Sequence, residues 1–84
     1  MAVNWDDVRY VEGLVACLDD VCERRGLPLA SHGSADPKVM QFFFDLAELY
    51  DVYDKAQAHG DRDQRAAAWT AVEQRIRQFQ AARQ

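Results

Sequence analysis

The sequence has no long apolar run, no excess of basic residues and few cysteines. None of its apolar runs approaches the ~20 residues that cross a bilayer, so we expect neither a membrane span nor a membrane partner. The formal net charge is -4 and the pI is about 4.9. This charge predicts weak nonspecific attraction to phosphate or anionic lipid, and it argues against direct binding of nucleic acid.

The two cysteines, Cys17 and Cys22, are not predicted to form a disulfide. A spacing of five residues on one helix places them about 140° apart around the axis, and a bond between them would break that helix. Residues 1–5 lead directly into acidic residues, whereas a secretory signal begins with basic residues and turns apolar. We therefore expect a cytoplasmic protein with reduced thiols.

Signals for catalysis and metal binding are also weak. Ser31, His32 and Asp36 lie on one loop, but a catalytic triad needs members that rigid elements hold together. The same residue types are common in loops and helix caps. The two cysteines and the two histidines lack the spacing of a zinc site. We predict no enzymatic activity, no cofactor and no metal ion.

The chain does contain three blocks of helical periodicity. Its 84 residues, 49% hydrophobic and 29% charged, suit one globular domain. Apolar residues at spacings of three and four predict helices at about 5–25, 37–59 and 62–82. Similar helix lengths and a very short second link predict an all-α domain over residues 1–84, built as an antiparallel (up-down-up) three-helix bundle.

Capping residues define the predicted helix ends. Asn4, Asp36 and Asp61 suit the N-cap position, whereas Gly26 and Gly60 suit the ends of the first two helices. The loop at 27–35 is long for a connection between two helices. It would let the first helix cross at an angle or exchange into a second copy of the chain.

One aromatic ring does not fit the core face of the second helix. Successive helical residues are 100° apart, so Phe42 and Phe43 fit the core stripe, whereas Phe44 points about 160° away from Leu46 at its centre. Met40 lies beside Phe44, and both residue types are enriched at the centres of protein interfaces. The pattern predicts a protein-binding surface around Phe44 and Met40.

The first helix has an apolar face about half its circumference, wider than the ~100° stripe of an ordinary surface helix. It combines two stripes, and the second contains Tyr10 and Cys17. A single three-helix domain does not need this much apolar surface. We therefore predict that Tyr10 and Cys17 belong to an interface with another protein or with a second copy, as in a homodimer.

Charged residues offer two further hypotheses. Asp45, Glu48, Asp51 and Asp54 carry negative charge along the second helix, where they would imitate a phosphate backbone. The third helix is rich in arginine and would be the element that associates with nucleic acid. Eight of the ten basic residues are Arg, a bias typical of GC-rich bacterial or phage genomes.

The function that these patterns favour is non-catalytic protein binding. The chain would act as an inhibitor, an immunity protein or an adaptor that docks on a larger protein or complex. One alternative is a phage-encoded inhibitor of host defence, like the anti-CRISPR proteins, whose acids block a nucleic-acid site. The other is a regulator that associates with nucleic acid through the third helix.

Overall fold

In the computed structural model, residues 3–83 form three α-helices and a short 3-10 turn. The helices are α1 (Val8–Arg24), α2 (Pro37–His59) and α3 (Arg62–Ala82), and the 3-10 turn is Ala30–His32. None of these described residues lies in a β-strand. The prediction of an all-α, three-helix bundle is confirmed, and the bounds of α2 and α3 agree with those expected from the sequence.

The predicted start of the first helix was wrong. Asp7, not Asn4, is the N-cap of α1, and its carboxylate accepts a hydrogen bond of 3.2 Å from the backbone N–H of Tyr10. Asn4 instead closes a turn ahead of the helix, where its carbonyl accepts from the N–H of Asp7 at 3.1 Å. The physical reason is that this turn folds the chain back, which buries Val3 in the core.

Helix α1 ends at a glycine with a left-handed backbone. Gly26 has φ of 66°, a conformation that glycine adopts without steric cost. The N–H of Leu27 then donates to the carbonyl of Cys22 at 2.9 Å, which satisfies one of the last carbonyls of the helix. The following loop returns to α1, because the N–H of Ser31 donates to the Asp19 carboxylate at 3.1 Å.

Helices α2 and α3 form an antiparallel hairpin with a two-residue link, Gly60 and Asp61. A Cβ atom at Gly60 would lie 2.8 Å from the carbonyl oxygen of Ala56, so only glycine fits there without a shift. Asp61 and Gln64 form a reciprocal capping box, which satisfies two N–H groups at the start of α3.

The contacts along the hairpin confirm its antiparallel direction. The rings of Phe42 and Phe79 stack with centroids 4.0 Å apart and planes 8° apart. Further along, Tyr53 meets Trp69 with ring centroids 5.0 Å apart. The guanidinium of Arg75 lies 5.2 Å from the Phe42 ring centroid and 3.1 Å from the carboxylate of Asp45, so it covers the edge of the core.

Helix α2 is the central element, because α1 and α3 both pack against it. The contact between α2 and α3 is more extensive than that between α1 and α2. The buried apolar residues of all three helices nevertheless form one core, together with Val3 from the N-terminal segment. Its members are Val3, Leu14, Leu18, Val21, Cys22, Phe42, Phe43, Leu46, Ala47, Val72, Ile76 and Phe79.

We expect the neighbouring aromatics of α2 to differ sharply in their effect on stability. Phe42 is fully buried, so Phe42→Ala should lower the free energy of unfolding by about 3–5 kcal/mol. Phe44 is half-exposed, so Phe44→Ala should cost about 1 kcal/mol or less. Urea denaturation followed by far-UV circular dichroism measures both values. Equal losses in the two variants would contradict this placement of the rings.

Candidate protein-docking surface

Three exposed apolar side chains lie close together on one side of the protein. Among the described residues, the large exposed apolar side chains are Trp5 (43% exposed), Val8 (63%), Phe44 (47%) and Val52 (49%). The first three line adjoining depressions at the junction of the N-terminal segment with α1 and α2. Val52 lies apart from them, in a groove between α2 and α3.

Trp5 and Phe44 form the centre of this surface. Their rings meet edge to face, with centroids 5.5 Å apart and planes at 83°, an arrangement that aromatic pairs favour. Val3, which precedes the turn at Asn4, anchors the segment that carries Trp5. The side chain of Val3 is buried, and its N–H donates to the carboxylate of Glu48 at 3.1 Å.

An open groove of about 610 Å³ runs along α1 beside this aromatic pair. Its apolar wall is a helical stripe of Val8, Val11 and Val15. Trp5 and, from the 3-10 turn, Ala30 also line the groove. The complete lining is Trp5, Val8, Val11, Glu12, Val15, Ala16, Asp19, Ala30 and Ser31.

A second depression continues this groove across to α2. Trp5, Val15 and Ala30 line both depressions, and Met40 and Phe44 line the second. The two are therefore one continuous surface. We call it the Trp5–Phe44 surface, defined by Trp5, Val8, Val11, Val15, Met40 and Phe44.

The structure brings together some of the predicted interface residues and separates others. Phe44 and Met40 both line the Trp5–Phe44 surface. Tyr10 and Cys17 instead line a smaller depression, which includes Tyr50 of α2 but none of the six residues of that surface. The two predicted sets therefore lie in different depressions, and whether either set binds a partner stays a prediction.

Trp5 is the residue that the sequence reasoning missed. Helical periodicity says nothing about a side chain that precedes the helix, and the expected cap at Asn4 placed Trp5 inside α1. The available signal was an aromatic residue in a short segment ahead of an Asp able to act as N-cap, Asp7. Such a segment can fold back over the seam between two helices.

The predicted acidic face of α2 was wrong for Asp51, which is only 1% exposed. Its carboxylate accepts a hydrogen bond from the Tyr10 hydroxyl and another of 2.8 Å from the Lys55 ammonium. It faces α1 because one helical turn separates it from the buried Ala47. Asp45 and Glu48 are half-buried and are engaged by Arg75 and by the Val3 N–H.

Partners within the chain favour the ionised form of the buried Asp51 carboxylate. Burial by itself raises the pKa of Asp51, but the hydrogen bonds from Lys55 and Tyr10, together with the positive charge of Lys55, outweigh this effect, and the net pKa is lowered. Burial and the neighbouring Asp51 raise the pKa of Tyr10, so the phenol remains the proton donor. Perturbed groups often mark active sites, but here they join α1 to α2.

Four of the five arginines on or next to α3 contact groups inside the chain. Arg75 pairs with Asp45, and Arg77 lies 3.9 Å from Glu73. Arg65 donates to the carbonyl of Gly60 at 3.2 Å. The guanidinium of Arg83 lies 5.3 Å from the ring centroid of Phe79.

The described residues hold no group of three or more His, Cys, Asp or Glu side chains arranged to bind a metal ion. Cys17 is exposed and Cys22 is buried, and both are free thiols. Burial raises the pKa of the Cys22 thiol to about 11, which keeps it in the unreactive protonated form. None of the helices within residues 3–83 is long and apolar enough to span a membrane.

Comparison of the chain with protein-family models, curated proteins and solved structures finds no match.

We expect Tyr10→Phe to destabilise the protein in a pH-dependent way. Folding lowers the pKa of Asp51, so the stabilisation from its hydrogen bond with Tyr10 is fully present above the pKa that Asp51 has in the unfolded chain. It is lost as the pH falls through the lower pKa that Asp51 has in the folded protein. At about pH 7 the variant should lose about 1.5–3 kcal/mol, and the loss should shrink below about pH 4. Urea denaturation at both pH values measures it.

Tyr53→Phe is the matched control for this experiment. The Tyr53 hydroxyl accepts a hydrogen bond of 2.8 Å from the exposed Gln57 amide, so its removal should cost about 0.5 kcal/mol or less at either pH. A Tyr10→Phe loss that is the same at both pH values would argue against an ionised Asp51 at this contact.

Proposed function

We propose that this protein is a small, non-catalytic binding module that docks on another protein through the Trp5–Phe44 surface. The observation that carries the proposal is the edge-to-face pair of Trp5 and Phe44. Both rings remain more than two-fifths exposed beside an open apolar groove. Aromatic side chains and methionine are the residue types enriched at interfaces.

The placement of this pair supports a role in binding. Single exposed apolar side chains are common on proteins and need no explanation. Here two aromatic rings, the valine stripe of α1 and Met40 adjoin one another, and contiguous apolar surface is typical of interaction sites. The Val3 anchor and the Asp7 cap hold Trp5 in position before any partner arrives, which reduces the entropy lost on binding.

The two charge-based alternatives have less support. Imitation of a phosphate backbone needs an open row of acids. Asp45, Glu48 and Asp51 are engaged within the fold, and Asp54 is the exposed member of the four. Nucleic-acid binding needs a basic patch, but most arginines associated with α3 contact groups of the chain, and Arg75 covers Phe42. The apolar surface is the feature that no contact among residues 3–83 accounts for.

Within this proposal, the protein acts by occupying a surface of its partner. The described residues bring together no set of groups for chemistry, so binding itself would be the effect. This is the mode of action of inhibitors, immunity proteins and adaptors. An adaptor would need a second binding surface, and the groove that contains Val52 between α2 and α3 is the place to look for it.

We expect Phe44→Asp to keep the fold and to abolish partner binding. The carboxylate would have to lose its water at the centre of the contact, and this costs several kcal/mol, or more than about a hundredfold in affinity. The measurement is capture of proteins from a lysate of the producing organism by the tagged chain, with folding checked by circular dichroism. Trp5→Ala should also weaken capture of the partner.

Val52→Asp is the control variant, because Val52 is also on α2 and is 49% exposed, against 47% for Phe44. It makes the same change of an apolar side chain to a carboxylate, away from the Trp5–Phe44 surface. The proposal predicts that Val52→Asp captures the same partner as the unchanged chain. Loss of capture in both variants, or in Val52→Asp alone, would refute this placement of the site.

A further inference from the structure

The apolar stripe of α1 is exposed at its N-terminal end and buried at its C-terminal end. Its first member, Val8, is exposed, Val11 and Val15 are partly buried, and Leu18 is fully buried. The spacing of these residues at three and four is the pattern by which one helix packs against another. At the C-terminal end of the stripe that neighbour is α2, whereas the N-terminal end lines the open groove.

The lining of the groove also has a charge of one sign. Glu12 and Asp19 are its only charged residues, so among residues 3–83 no Lys or Arg lines it. Glu12 is exposed and makes no ion pair within the described chain. Asp19 receives the Ser31 N–H on one oxygen, which leaves the other available as an acceptor.

We propose that this groove binds a short amphipathic helix of the partner, with apolar residues on one face and Lys or Arg along its flank. The inference rests on the proposed function and deepens it. The part of α1 that lines the groove, from Val8 to Asp19, spans about three helical turns, roughly 16 Å. The incoming helix would lie along α1, its apolar side chains against the valines and Trp5, its cations beside Glu12 and Asp19.

A helix fits this groove better than an extended peptide does. Strand addition requires a sheet edge with unpaired backbone groups, and the described chain contains no strand. The wall of the groove is the side-chain surface of α1, whose ridges accept the ridges of another helix. An amphipathic helix also forms its backbone hydrogen bonds within itself, so it needs no backbone partners on the groove.

The charge of the groove also disfavours a second copy of this chain as the occupant. In an isologous dimer both partners use the same patch, so the two acids of one groove would face the two acids of the other. The lining is also small, nine residues, compared with roughly 20–30 residues a side in a standard protein–protein interface. A single helix covers an area of this size.

Synthetic peptides test the inference directly. The first probe is a capped peptide of about 14 residues, four turns, with Leu on one face and Lys on the flanks. The second replaces each Lys with Glu, and the third keeps the first composition but scatters Leu around the helix. Each is titrated into the isotopically labelled protein, and binding is followed through backbone amide and Trp5 indole resonances.

The expected result is binding of the Lys-flanked peptide, with shifts confined to Trp5, Phe44 and the valine stripe of α1. The Glu-flanked peptide should bind at least about tenfold more weakly, a difference that shrinks as salt is raised. Glu12→Lys should weaken the first peptide and strengthen the second, by roughly threefold to tenfold each. The scattered peptide should not bind.

Asp54→Lys is the charge-matched control. Asp54 is exposed on α2 and lines the separate depression that contains Tyr10 and Cys17, not the groove. It makes the same change in net charge, so it should leave the preference between the two amphipathic peptides unchanged. An equal effect of Asp54→Lys and Glu12→Lys would mean that net charge, not the groove, selects the peptide, and would overturn the inference.

Other outcomes also overturn it without touching the proposed function. These are equal binding of the Lys-flanked and Glu-flanked peptides, binding of the scattered peptide, and no binding of any peptide while Phe44→Asp still abolishes partner capture. Concentration-dependent dimerisation that Phe44→Asp prevents would identify a second copy as the occupant. Partner capture that survives Phe44→Asp would instead refute the proposed function, whatever the peptides do.

Discussion

Helix α2 has to pack against two helices at once, and most of the structure follows from this constraint. Phe42 and Leu46 are fully buried along it, and the stacked ring of Phe79 fixes how α3 lies alongside. The tight turn at Gly60 makes that pairing antiparallel and close. Helix α1 packs against another side of α2, and because this contact is smaller, part of the apolar face of α1 stays exposed within residues 3–83.

Polar contacts complete the attachment of α1. The carboxylate of Asp51 is buried between α1 and α2, where Tyr10 and Lys55 satisfy it. A buried charge is costly unless it is paired, so this contact favours one arrangement of the two helices over others. The same contacts leave Asp51 buried and Asp45 and Glu48 partly buried.

The N-terminal segment connects the fold to the proposed site. Burial of Val3 and the turn at Asn4 bring Trp5 onto Phe44, and the cap at Asp7 delays the start of α1 so that Val8 opens the groove. A single ring at Phe44 would be an ordinary exposed aromatic. With Trp5, Met40 and the valine stripe beside it, it becomes part of a continuous apolar surface, the one proposed to bind a helix of the partner.

Local patterns in the sequence were sufficient for the helices. Periodicity, the caps Asp36 and Asp61 and the breaker at Gly60 determined that α2 and α3 exist, where they begin and end, and that they are antiparallel, because these signals act within a few residues. They also identified Phe44 as the ring outside the core. Only the tertiary structure decided that Asp51 is buried, that Tyr10 and Cys17 lie apart from Phe44, and that the ring of Trp5 contacts the ring of Phe44. Each of these depends on how far one helix rotates and shifts against another, and that is set by the packing of side chains distant in the chain.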